Sequence, residues 1–121
     1  MSLSVVITTY NRSDVLKLNL DSFKAQDDLD FEIVVAIDGS TDNTVEMLTE
    51  YKKTSPFSLN WIDTQEHTKY CLAKARNMGL VETTRPIVVI LDDDSFPVPG
   101  FVKAHKETVQ ERVLTGGNRN S

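Results

Sequence analysis

Apolar positions along this 121-residue chain fall into short continuous runs separated by stripes at helical spacing, and the pattern predicts five strands alternating with four helices. Residues 4–9 and 31–37 are dense in β-branched side chains, which suit a pleated, packed surface. A weaker third strand is expected over 58–62, after the break at Pro56. Ile87-Val88-Val89-Ile90-Leu91 forms an unbroken apolar run and predicts a fourth strand buried on both faces. Arg112-Val113-Leu114-Thr115 reads as a fifth, followed by Gly116-Gly117. Between them, Ser13 is the expected N-cap of a first helix that carries Val15, Leu16, Leu18, Leu20 and Phe23. A second helix is expected to start near Thr41 or Asp42, with Val45, Leu48 and Tyr51 on one face. A third spans 70–82, and Pro97, Pro99 and Gly100 shape a loop into a fourth over 101–110.

Alternation of this kind means right-handed βαβ units. The expected fold class is therefore α/β: a three-layer sandwich around a mostly parallel central sheet, one domain over residues 1–121, with no internal repeat. In a parallel sheet every strand ends on the same edge. Thr8 to Asn11, Asp38 to Ser40 and Asp92 to Asp94, far apart in sequence, should gather at one rim, where open α/β sheets bind ligands.

Composition narrows the function classes. A net charge of −5 without a Lys/Arg stripe argues against a nucleic-acid partner. No apolar run approaches the ~20 residues of a membrane-spanning helix. A single cysteine, Cys71, leaves no intramolecular disulfide and fits a reducing compartment. Cys71 reads as a buried inert thiol, Trp61 as packing, and Lys52-Lys53 as a solvated helix end that suits the macrodipole. His67 and His105 have no partner at metal-ligand spacing and read as surface residues.

The rim segments carry the chemistry. Asp92-Asp93-Asp94 concentrates negative charge at a strand end, which solvent or a hard divalent cation must offset. Thr8-Thr9-Tyr10-Asn11-Arg12 offers hydroxyls, an aromatic face, an amide and a guanidinium, equally consistent with a turn and helix cap. Asp38 ends a buried strand, where a carboxylate can accept from a pyrimidine imide; Gly39 permits the sharp turn and the following Ser/Thr/Asp cluster caps a helix.

Taken together, Val5-Val6-Ile7-Thr8-Thr9-Tyr10-Asn11-Arg12, Asp38-Gly39-Ser40-Thr41-Asp42-Asn43-Thr44, Ala75-Arg76-Asn77 with Gly79, and Leu91-Asp92-Asp93-Asp94 with Pro99 resemble the family 2 inverting glycosyltransferases of the GT-A fold. The resemblance covers almost the whole chain. It implies a nucleotide site of Thr8, Tyr10, Asn11, Arg12, Asp38, Arg76, Asp92 and Asp93. Thr8 and Tyr10 would lie against base and ribose, with Asp38 on the base, and Lys69, Lys74 or Arg76 would supply a cation to the diphosphate. It further implies Mn²⁺ or Mg²⁺ held by Asp94, with Asp92 nearer the ribose or a metal-bound water, as Lewis acid for a departing nucleoside diphosphate. Asp93 should point away from its neighbours if the segment is extended.

The implied partners are a nucleotide-diphosphate sugar, foremost a UDP-sugar, and a carbohydrate or lipid-linked acceptor, with hexosyl transfer in polysaccharide biosynthesis. The implied location is cytoplasmic, peripheral at the inner face of the membrane where the acceptor is lipid-linked. In the resembling family the general base lies beyond the Asp-x-Asp strand, so the expectation for these residues is a donor-binding half that transfers sugar poorly alone. Apolar surface left by a missing acceptor half would favour a homo-oligomer. Two other readings stay open: a nucleotidyltransferase, which would usually bring a Gly-rich basic loop after the first strand, and a degenerate, non-catalytic nucleotide-binding module.

Overall fold

The computed structural model describes residues 3–26, 28–39, 42–65 and 72–107. They form β1 (Leu3–Thr9), α1 (Ser13–Phe23), β2 (Phe31–Ile37), α2 (Thr44–Thr54), β3 (Ser58–Asp63), α3 (Leu72–Glu82) and β4 (Ile87–Asp92), followed by a helical stretch over 101–107. All three strand pairings are parallel, in the order β3-β2-β1-β4. The expected alternating α/β sandwich is present.

Side-chain alternation along β1 and β2 explains the layers. Leu3, Val5 and Ile7 with Phe31, Ile33, Val35 and Ile37 face α1, α2 and Val102, and build the larger core. Four rings meet at its base, where Phe23 lies 5.6 Å from Phe31, 6.5 Å from Phe57 and 5.9 Å from Phe101 between centroids. On the other face Val6 and Ala36 pack against Ala75 of α3. Gly79 lets α3 sit close: a Cβ there would meet Val6 Cγ1 at 3.0 Å and Ala36 Cβ at 3.2 Å. Ala75 and Gly79, one turn apart, thus form the small-residue face on which the helix approaches the sheet.

Several expectations are corrected. β4 is not buried on both faces: Val88 is 39% and Ile90 43% exposed, because β4 is one of the two edge strands among the described residues and its α3-side face is incompletely covered. Leu18 (60% exposed) and Val45 (39%) point out of the stripes that bury Leu16, Leu20, Phe23, Leu48 and Tyr51. Ser13 is not an N-cap but the first residue of α1, preceded by Arg12 in the cap position. The second helix begins at Thr44, two or three residues later than expected, because Asp42 and Asn43 serve as its cap. The strand expected over 112–115, helix residues 108–110, the first two of the third helix, His67, Cys71 and Ser40 lie outside the described residues. Among the described residues no helix is long and apolar enough to cross a membrane.

At the edge opposite the strand ends, Glu32 is buried and its carboxylate accepts hydrogen bonds from Ser4 Oγ (2.6 Å), Thr84 N (2.6 Å) and Thr84 Oγ1 (3.0 Å). Burial works against its charge, but these bonds and Arg85 outweigh it and hold the carboxyl below its ordinary value of 4.5. A depressed carboxylate stabilises the fold above its unfolded pKa, and that contribution disappears as pH falls through the folded value. Glu32→Gln is therefore expected to lower stability at pH 7 by about 2 kcal/mol, the worth of a charge-assisted bond. It should also flatten the decline of stability below pH 4.5, measured by urea unfolding across pH. An unchanged acid slope would show that Glu32 is not responsible for it.

Candidate functional site

The chain order explains where a ligand site must lie. β1 connects toward β2 and β3 on one side of the sheet, while the return through α3 places β4 on the other side of β1. Adjacent strands whose connections diverge leave a crevice at their carboxyl ends. A cleft of about 290 Å³ occupies that place, lined by Thr8, Thr9, Tyr10, Arg12, Asp92, Asp93 and Asp94.

Register sets the contacts across it. Thr8 pairs with Asp92 in the β1–β4 ladder, and its hydroxyl lies 3.3 Å from Asp92 Oδ1. The chain then turns, closed by Ser95 N donating to Asp92 O at 3.1 Å, with Asp93 and Asp94 as central residues. Asp93 is buried toward α1 and accepts from Thr9 Oγ1 at 2.9 Å, while Asp92 and Asp94 remain exposed at the cleft. Burial pushes the Asp93 carboxyl above its ordinary value; Thr9 and Arg12 pull against this, and Asp94 and Asp92 add to it. Arg12 lies across the mouth, with Nε 3.5 Å from Asp93 and Nη2 3.6 Å from Asp94. It supplies part of the counter-charge that three adjacent carboxylates require.

The loops after β1 and β2 are joined to each other. Asn11 adopts φ 49°, a conformation asparagine tolerates, and its Oδ1 accepts from Asp42 N at 3.2 Å. Asp42 accepts from Ser13 N at the start of α1 and from Thr44 N and Oγ1 at the start of α2, so one carboxylate caps two helices. Burial opposes its charge, yet these bonds prevail and hold it below the usual carboxylate value. Ser13 Oγ donates to Asn43 Oδ1 at 2.6 Å, a second tie between the loops.

The structure thus brings Thr8, Tyr10, Arg12, Asp92, Asp93 and Asp94 together at one cleft. Asn11 is adjacent but acts as a brace. Asp38 is fully buried at the end of β2, 3.5 Å from Thr64 Oγ1. Arg76 is exposed on α3 and does not line the cleft; Lys69 lies outside the described residues. Thr9, absent from the expected site, turns out to hold Asp93. The signal for it was a strand-end hydroxyl beside an acidic neighbour strand. Asn19 and Gln26 were missed as well: their amides bind the segment after β4, and Asn19 betrays itself as a polar residue inside the apolar stripe of α1.

Among the described residues no group of three or more His, Cys, Asp or Glu side chains is arranged to hold a metal unaided. Two exposed carboxylates at a cleft nevertheless fit Mg²⁺ or Mn²⁺, which bind through one or two carboxylates with phosphate and water completing the shell.

Comparison with known proteins agrees with this fold. Chondroitin synthase of Escherichia coli is 35% identical over 120 residues, covering 97% of this chain and 17% of that protein. TarS 1-349 of Staphylococcus aureus superposes with a TM-score of 0.81 at 26% identity, over 93% of this chain and 33% of that one; a second structure of it, in complex with UDP-GlcNAc, gives 0.74. The mannosyltransferase PcManGT of Pyrobaculum calidifontis, in complex with GDP-Man and Mn²⁺, gives 0.69 at 32% identity, over 78% of this chain and 28% of that one. The chain therefore spans between 17% and 33% of the length of these relatives. Its fold is that of the GT-A glycosyltransferases. The model of the family described as "Glycosyl transferase family 2" matches residues 4–119, nearly the whole sheet-and-rim arrangement described above, and this chain is a member of that family.

Proposed function

We propose that these residues bind the donor of an inverting glycosyltransferase, a nucleotide-diphosphate sugar, with a divalent cation at Asp92 and Asp94. The observation that carries the reading is the β1–β4 crevice, where an aromatic ring, a guanidinium and two exposed carboxylates face one space. Tyr10, 39% exposed, offers its face to a base or ribose. Thr8 orients Asp92, and Thr9 fixes Asp93 and with it the turn that presents Asp94. Arg12, already held between carboxylates, is placed to share its remaining donors with a diphosphate. Asp38 is assigned to the base edge; because it is fully buried, a base that it reads must displace part of what covers it. A bound Mn²⁺ or Mg²⁺ would supply Lewis-acid neutralisation of the leaving diphosphate.

The TarS complex with UDP-GlcNAc supports a UDP-sugar as donor, and the names of the relatives support hexosyl transfer in polysaccharide synthesis. The acceptor and the general base belong to groups outside this cleft, so transfer by these residues alone is expected to be weak. A cytoplasmic site of action, a homo-oligomer and a single-domain organisation belong to the same reading.

Calorimetric titration of UDP, GDP, dTDP and CDP, each with and without Mn²⁺, tests the proposal. One diphosphate should bind at least about tenfold more tightly with Mn²⁺ than without it, a lower bound taken from the roughly 10–100-fold that disturbing a metal ligand's supporting partners costs. Binding indifferent to the metal would favour the degenerate nucleotide-binding module instead.

A further inference from the structure

We propose that Asn19 of α1 is a positioning residue for the acidic turn: its side-chain amide sets where Asp94 stands in the cleft. The inference rests on the donor-binding reading above and extends it to a residue outside the cleft lining. Asn19 is fully buried, on the same face of α1 as Leu16, Leu20 and Phe23. An apolar side chain would satisfy that face. Instead the Asn19 amide nitrogen donates to Asp93 O at 3.1 Å and to Ser95 O at 2.9 Å. Its two N–H groups therefore hold the backbone on either side of Asp94, the central residue left exposed by the turn.

The Asn19 Oδ1 atom, by contrast, is buried and has no hydrogen-bond partner among the described residues. Leaving a buried amide oxygen unpaired is unfavourable. The side chain is thus spent entirely on its donor end, and both donors go to the acidic turn. Thr9 fixes the same turn from β1 through the Asp93 carboxylate. Further along, Gln26 donates to Val98 O at 2.7 Å and accepts from Val102 N at 3.1 Å, so the backbone leaving the turn is also tied to the α1 side. Asn19 is the tie that flanks Asp94.

The test compares wild type with Asn19→Leu, which matches the apolar stripe and removes both donors together with the unpaired oxygen. UDP affinity is measured by calorimetry with and without Mn²⁺, and thermal unfolding is recorded alongside. The Mn²⁺-dependent gain should fall about tenfold, as for partners that orient metal ligands from behind, while metal-free UDP affinity stays at the wild-type value. A general loss of fold would move both affinities together, and that result would overturn the assignment. So would a Mn²⁺-dependent gain equal to wild type. Asn19→Asp keeps the shape with at most one donor, and serves if Asn19→Leu does not fold. Failure of both variants to unfold cooperatively makes Asn19 a folding residue and overturns the assignment too. A wild-type chain with no Mn²⁺-dependent binding sinks the donor reading itself, and the Asn19 role with it.

Discussion

Asp94→Ala is expected to abolish Mn²⁺-dependent binding of the nucleoside diphosphate while leaving the fold intact. The Asp94 side chain is 58% exposed and its ion pair with Arg12 is long, at 3.6 Å. Exposed pairs of that kind contribute about 0–1 kcal/mol to stability, so unfolding in urea should be unchanged within about 1 kcal/mol. The binding effect is of a different order. Residues that merely support a metal ligand cost about 10–100-fold when removed, so loss of a ligand itself should cost about 100-fold or more. Calorimetry of the variant with and without Mn²⁺ reads this directly, and an Asp94→Ala chain that keeps its metal-dependent gain would remove Asp94 from the site. Removing this carboxylate also frees Arg12 from one of its two partners. Metal-free diphosphate binding should therefore be retained or slightly strengthened, a change of opposite sign that distinguishes lost metal from lost structure.

The largest effect on stability is expected at Phe23. Phe23→Ala should lower the free energy of unfolding by about 3–5 kcal/mol, the usual range for truncating a buried aromatic. The ring is fully buried where α1, β2, the start of β3 and the 101–107 helix converge, in contact with Phe31, Phe57 and Phe101. No single neighbour can relax into the space without leaving its own contacts. A domain of this size holds only about 5–15 kcal/mol in all, so the variant should be close to the limit of folding at 37 °C. Urea unfolding at 25 °C gives the number, and a loss below about 1 kcal/mol would mean the cluster repacks.

How far the sequence could be read depended on which physical signal was local. β1 and β2 were legible to within a residue because β-branched runs carry their own preference and both faces are covered. The site was legible for a topological reason: parallel strands end on one edge, so Tyr10 and Asp92 to Asp94 had to meet. Ile87 to Leu91 was misread because an unbroken apolar run does not say how much of its outer face is covered; Val88 and Ile90 are exposed at the sheet edge. Leu18 was misread because hydrophobicity alone does not fix the centre of a helical stripe, and Asn19 beside it occupies the buried position. Long-range hydrogen bonds such as Thr9 to Asp93 and Asn19 to Ser95 leave no periodic trace; a strand-end hydroxyl and a polar residue in an apolar stripe hint that a partner exists without naming it. Nor could composition tell that Asp38 would be enclosed and Arg76 turned away from the cleft.

The shared cap at Asp42 has a consequence for motion. By binding the first turns of α1 and α2 and the Asn11 loop at once, it welds the strand ends of β1 and β2 into a single wall. Drawing Asp42 away from the β1 side would leave Ser13 N at the start of α1 without its acceptor, so the caps of the two helices depend on one carboxylate. The acidic turn on the β4 side is tied across elements in the same way, by Thr9 Oγ1 and by both N–H groups of Asn19. Both walls of the crevice are set by bonds that cross between elements, which leaves little ordering to be done when a ligand enters.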